Sequence, residues 1–104
     1  MKIIDMGLKS QWYNAIERGT KKTEYREMKD YWITKLLDMG RYGGKNTEEI
    51  KSGLTSGTLP LYPYGWTHIR FHNQGRQMVV PILSINIYKG HEIFAIKLGE
   101  REKT

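Results

Sequence analysis

Apolar residues recur along this chain with two different periods, and the change of period divides it. "KIIDM", residues 2–6, is a short apolar run that predicts a first strand. Leu8, Trp12, Ala15 and Ile16 then recur at helical spacing, with Ser10 placed to cap the helix and Gly19 to end it. "KKTEYRE", residues 21–27, alternates charge with Thr23 and Tyr25, as a strand does. Trp32, Ile33, Leu36 and Leu37 form a second apolar stripe, predicting a helix over 30–39 that stops at Gly40.

The pattern then breaks. Residues 40–65 hold six of the eleven glycines and two of the three prolines, and predict a long loop. Asn46 and Glu49 have capping-box spacing, which allows a short helix at 47–52 inside it. Beyond it the period is two. "WTHIRFH" turns Ile69 and Phe71 inward and His68, Arg70 and His72 outward, and "NQGR" is a hairpin turn. "QMVVPILSINIYK" is a long strand in which Pro81 requires an edge or a bulge. "KGH" turns the chain into "EIFAIKL", and the charged tail 99–104 is expected to fray. The expected fold is α+β: one domain over residues 1–104, a small, partly closed β-barrel with helices inserted near its N-terminus.

Composition narrows the function. The 104 residues contain no cysteine, which excludes disulfides and thiolate metal sites and fits a reducing, cytoplasmic setting. The apolar start is too short for a signal-peptide core or a membrane span, so no membrane partner is expected. Seventeen Lys and Arg against eleven Asp and Glu leave a net charge of +6. That excess suits a polyanion such as nucleic acid, or serves solubility alone.

"GTKKTEYR", residues 19–26, is the densest candidate for chemistry. In a regular strand Lys21 and Glu24 would face opposite ways, but Gly19 allows the preceding turn to swing Lys21 beside Glu24. Glu24 would then hold Lys21 and Arg26 as an aimed cationic pair, suited to a phosphate or a base carbonyl. A charged strand edge that deters aggregation is the plainer reading of the same residues.

The spacing Gly19-x-Lys21-x-x-Glu24-x-Arg26 after a short helix resembles the signature of the ASCH domain family, which has a PUA-like barrel. "YWITKLL" resembles the helix that follows the motif in one subgroup, and the strands from Trp66 to Leu98 look like the family's barrel. The resemblance implies a cleft lined by the motif charges that accepts RNA or a nucleotide-derived ligand. It also implies an alternative, an amidohydrolase of acetylated cytidine that would use Lys21 and Glu24 catalytically. Relatives of that kind carry a threonine three residues after the lysine, and here that position is Glu24. A protein–protein adaptor is a third reading.

The remaining candidates are nonlocal. Tyr64 and Trp66, in the Gly- and Pro-rich segment, either stack bases or plug the barrel mouth. Trp12 and Trp32 are expected in the core. Arg70, between His68 and His72, extends a polyanion track or is part of a solvated face. Two histidines four apart on a strand are separated by about 13 Å, so they cannot share a metal. No metal site and no cofactor are expected.

Overall fold

Residues 1–88 and 90–101 are described by a computed structural model. In chain order the elements are β1 (Ile3–Gly7), α1 (Ser10–Arg18), β2 (Thr23–Glu27), α2 (Asp30–Leu36), a 3-10 turn (Met39–Tyr42), α3 (Thr47–Ser56), β3 (His68–Asn73), β4 (Arg76–Ile87) and β5 (Ile93–Leu98). The strands form one five-stranded mixed sheet in the order β1-β3-β4-β5-β2, with β1 parallel to β3 and β3 antiparallel to β4. The α+β class holds, but the expected barrel is not met: the sheet is not closed, and β1 and β2 are its two ends. Both end strands are only five residues long, and charge blunts them, with Asp5 on β1 and Arg26 and Glu27 on β2. Among the described residues no helix is long and apolar enough to cross a membrane.

The chain packs as two compact units. The first comprises Met1–Glu24, Trp66–Ser84 and the segment from Ile96 onward. In its β1–β3 pair Ile4 stands opposite Ile69 and Met6 opposite Phe71, and all four are buried. From α1 the buried side chains are Tyr13 and Ile16, and Ser10 is the first helical residue, not the cap. The N-cap is Lys9, and the Ser10 hydroxyl donates to Asn73 Oδ1 at 3.2 Å. The hairpin turn is as predicted. Gln74 and Gly75 both have positive φ, the combination that a two-residue type I′ turn requires. Arg76, just after the turn, stacks on Tyr13 at 4.3 Å and donates to Asn14 Oδ1 and Asn73 Oδ1, tying the hairpin to α1.

Pro81 lies inside β4, which is not an edge strand. Counting from the closing pair Asn73↔Arg76, the pair His68↔Pro81 falls on a non-hydrogen-bonded position, so β3 loses no ladder bond. The Pro81 carbonyl accepts the Gly99 N–H at 2.9 Å, which seats the start of the C-terminal segment. Gly99 to Arg101 is therefore part of the first unit, and not wholly frayed as expected; residues 102–104 lie outside the described residues, as does Lys89 of the predicted "KGH" turn.

The second unit comprises Tyr25–Gly65 and Ile85–Ala95. Its α2 ends at Leu36, three residues short of the expected end, because Leu37 becomes extended and bridges Pro63. The Asp38 N–H donates to Tyr62 O at 2.8 Å and the Tyr64 N–H to Leu36 O at 2.9 Å, on either side of that bridge. The segment 40–65 is thus not a simple loop. The capping box at Asn46 and Glu49 is present with both of its bonds, and α3 runs on to Ser56. Tyr42 is buried; its hydroxyl donates to Pro60 O and accepts the Tyr62 N–H, replacing ladder bonds that this stretch lacks.

Candidate ligand site

Gly19 is where the local geometry of the site begins. It ends α1 in the left-handed conformation, with φ of 81°, and nothing crowds it. A residue with a side chain would strain there, so glycine allows the chain to reverse cheaply. The reversal is then locked: Ala15 O accepts from the Thr20 N–H, the Thr20 hydroxyl and the Lys21 N–H, at 2.9, 3.1 and 3.2 Å.

Locked in this way, Lys21 reaches both its neighbours. Its ammonium lies 3.4 Å from Glu24 Oε1 and 5.2 Å from the centre of the Trp12 ring. The Glu24 side chain is only 6% exposed and that of Lys21 only 19%, so both charges are drawn out of bulk water. The swing that the glycine makes possible has occurred. Among the described residues Glu24 is one of two polar or charged side chains buried in the core, and a carboxylate so placed needs a cation beside it. Trp12, expected in the core, is 46% exposed; the helix buries Tyr13 in its place. The indole is a face for the Lys21 ammonium, which the ring's quadrupole attracts.

Lys21 lines a cavity of about 750 Å³ in the first unit. Five cationic residues border it against the two carboxylates Glu17 and Glu100, and its apolar wall is Ile16, Leu83 and Leu98. The other four cations are Arg18, Lys22, Lys97 and Arg101. Sequence reasoning missed these four. Lys97 carried one signal, as the polar position between the inward Ile96 and Leu98, but its meeting with Arg18 depends on the fold.

The remaining sequence candidates are placed elsewhere. Arg26 lies over the Trp32 ring at 5.3 Å and donates to Tyr25 O, within the second unit. Trp32 is half-buried and meets Tyr31 edge to face at 4.8 Å. Tyr64 is 47% exposed, and Trp66 is half-buried. Arg70 points outward from β3 as predicted, but Asp5 of β1 stands beside it in register. Asp5 Oδ1 accepts from His72 Nε2 at 2.6 Å and pairs with Arg70 Nη1 at 3.4 Å. The hydrogen bond from His72, helped by the Arg70 charge, holds the Asp5 carboxyl below its ordinary pKa. A face expected to offer positive charge thus carries its own carboxylate. None of Arg26, Tyr64, Trp66 and Arg70 lines the cavity that holds Lys21.

What the arrangement can do is bind an anion next to an aromatic face. The ammonium is aimed, its partner carboxylate is buried, and further cations share its cavity. No protein-family model, no curated protein and no solved structure matches the chain.

Proposed function

We propose that this chain is a nucleotide- or RNA-binding protein of the ASCH, PUA-like kind, with its ligand in the cavity that Lys21 lines. One observation carries the reading: the Lys21 ammonium is fixed between the Trp12 indole and the buried Glu24 carboxylate at the wall of a cationic cavity. A freely solvated surface lysine has no need of a buried carboxylate. The cavity volume falls within the roughly 300–1,000 Å³ usual for small-ligand sites, and its mixed apolar and cationic lining suits a base with attached phosphate. The stretch that resembles the ASCH signature supplies three residues to this arrangement. Gly19 reverses the chain, Lys21 brings the charge, and Glu24 orients it.

The test is a titration of short single-stranded RNA and of the four common nucleosides and nucleotides, followed by tryptophan fluorescence, with Trp12→Phe to isolate the contribution of Trp12, and by calorimetry. Binding that weakens in both Lys21→Ala and Glu24→Gln is the expected result. Unchanged binding in both variants would place the ligand elsewhere.

The amidohydrolase alternative is favoured by one feature only, the contact of Lys21 with a carboxylate. Incubation with acetylcytidine and assay for cytidine and acetate decides it. Little or no turnover is expected, because the position at which amidohydrolases of that kind carry threonine is Glu24 here.

A further inference from the structure

The cavity holds more positive charge than a nucleoside needs. From this we infer that it takes a terminal phosphate, that of a nucleoside 5′-phosphate or of the 5′ end of an RNA, with Arg18, Lys22, Lys97 and Arg101 as the anion-binding set. The inference rests on the nucleotide-binding reading above and adds the part of the ligand that those four cations hold.

The four come from three separate places in the chain: the last turn of α1, the stretch before β2, and β5 with the residues that follow it. Convergence of distant cations is electrostatically unfavourable unless something neutralises them. Glu17 and Glu100 offset only part of the charge, and among the described residues Arg18, Lys22 and Lys97 form no ion pair. The excess fits a phosphomonoester, which carries nearly two negative charges at neutral pH, better than a bridging diester with one.

Two further features favour an end over a continuous strand. A chain of diesters needs a track of cations, and the outward face of β3 does not supply one, because Asp5 already occupies Arg70 and His72. The cationic excess is gathered in one cavity instead. Next, the cavity has an apolar wall in which Leu83 is 61% exposed, a large apolar side chain that the base or ribose would cover.

Neighbouring backbone opposes the anion less than a bare helix end would. The carbonyl end of α1 would repel a phosphate, but Gly19, Thr20 and Lys21 donate their N–H groups to Ile16 and Ala15 there. The wall at Glu100 and Arg101 is anchored through Gly99, where a Cβ would stand 2.9 Å from Pro81 Cγ. The backbone that carries these cations is therefore held before any ligand arrives, and the ordering cost that remains is that of their exposed side chains.

The experiment compares each nucleoside with its 5′-monophosphate, and a short oligoribonucleotide bearing a 5′-phosphate with the same oligomer bearing a 5′-hydroxyl, at one fixed salt concentration. At least one phosphorylated probe should bind about tenfold or more tightly than its unphosphorylated counterpart, as charge-assisted hydrogen bonds would give. Lys97→Ala combined with Arg101→Ala should erase that preference, bringing the affinity of the phosphorylated probe down to that of its unphosphorylated counterpart. Both side chains are exposed, so the fold should survive, and circular dichroism verifies it. A preference confined to mononucleotides or to oligomers identifies the source of the phosphate, and either outcome supports the inference. Equal binding of phosphorylated and unphosphorylated probes overturns it while leaving the nucleotide-binding reading intact, as does a preference that survives the double variant. If no probe of either kind binds, both fail together.

Discussion

Lys21 and Glu24 lie on opposite faces of an ideal strand, yet their charged groups are 3.4 Å apart because Lys21 precedes the first residue of β2. The two partners are unequally buried, and this makes their removal unequal. Lys21→Met leaves a buried carboxylate without its ammonium and should destabilise the protein by about 3 kcal/mol. Glu24→Gln leaves a lysine that can still reach water, and should cost about 1–2 kcal/mol. Chemical denaturation of the two variants measures the difference; equal losses would mean that the pair is not what fixes the loop.

Binding should respond with a different ordering. Glu24→Gln removes a negative charge, so attraction alone would strengthen the binding of an anion. If Glu24 orients Lys21, affinity falls instead. Isothermal titration with the best probe reads the sign directly.

Salt separates contact from mere attraction. Each phosphate contact on a single strand contributes about −0.7 to the slope of log affinity against log salt. Lys21→Ala should make the slope shallower by about 0.7 if that ammonium meets a phosphate. Arg70→Ala should leave it nearly unchanged, since Asp5 already faces Arg70.

The Asp5–His72 pair predicts acid behaviour. The folded pKa of Asp5 is lowered, so its contribution to stability is present above the unfolded carboxylate pKa and is lost as pH falls through the folded value. Asp5 is more than half exposed, which limits the effect to under about 1 kcal/mol. Carbon NMR should find Asp5 titrating below the ordinary value of 3.8, and rising toward it in His72→Ala. An unmoved titration would show that the hydrogen bond does not hold the carboxyl down.

Gly53 offers a test of packing in the second unit. Alanine in a helix interior ordinarily gains about 1 kcal/mol over glycine. Here its Cβ would stand 2.4 Å from both Leu59 Cγ and Leu59 Cδ1, and 3.0 Å from Leu59 Cβ, so the side chain cannot simply turn its tip away. Overpacking of this kind costs roughly 1–3 kcal/mol, and Gly53→Ala should lower stability despite its helix propensity. A more stable variant would mean that Leu59 relocates freely.

The elements that were legible in the sequence are those with local causes. The alternation of β3, the Gln74–Gly75 turn, the end of α1 at Gly19 and the Asn46–Glu49 capping box each arise from residues close in sequence. The misreadings have distant causes. Trp12 and Tyr13 each stand at helical spacing from Ile16, so the period alone does not choose between them; the fold buries Tyr13, on whose ring Arg76, 63 residues on, is stacked. The early end of α2 depends on Leu37 meeting Pro63, and the openness of the sheet on which strands become its ends. For the site, the motif identified Lys21 and Glu24, but no local pattern could bring Lys97 and Arg101 to the same cavity.

The bond from Gly99 to Pro81 has a practical corollary for anyone handling the protein. It seats Gly99, and with it Glu100 and Arg101, at the wall of the cavity. A fluorophore or a surface attachment placed at Glu100 or Arg101 would crowd that cavity and any ligand it takes. Met1, 82% exposed and outside the cavity lining, is a position where the same attachment leaves the cavity open.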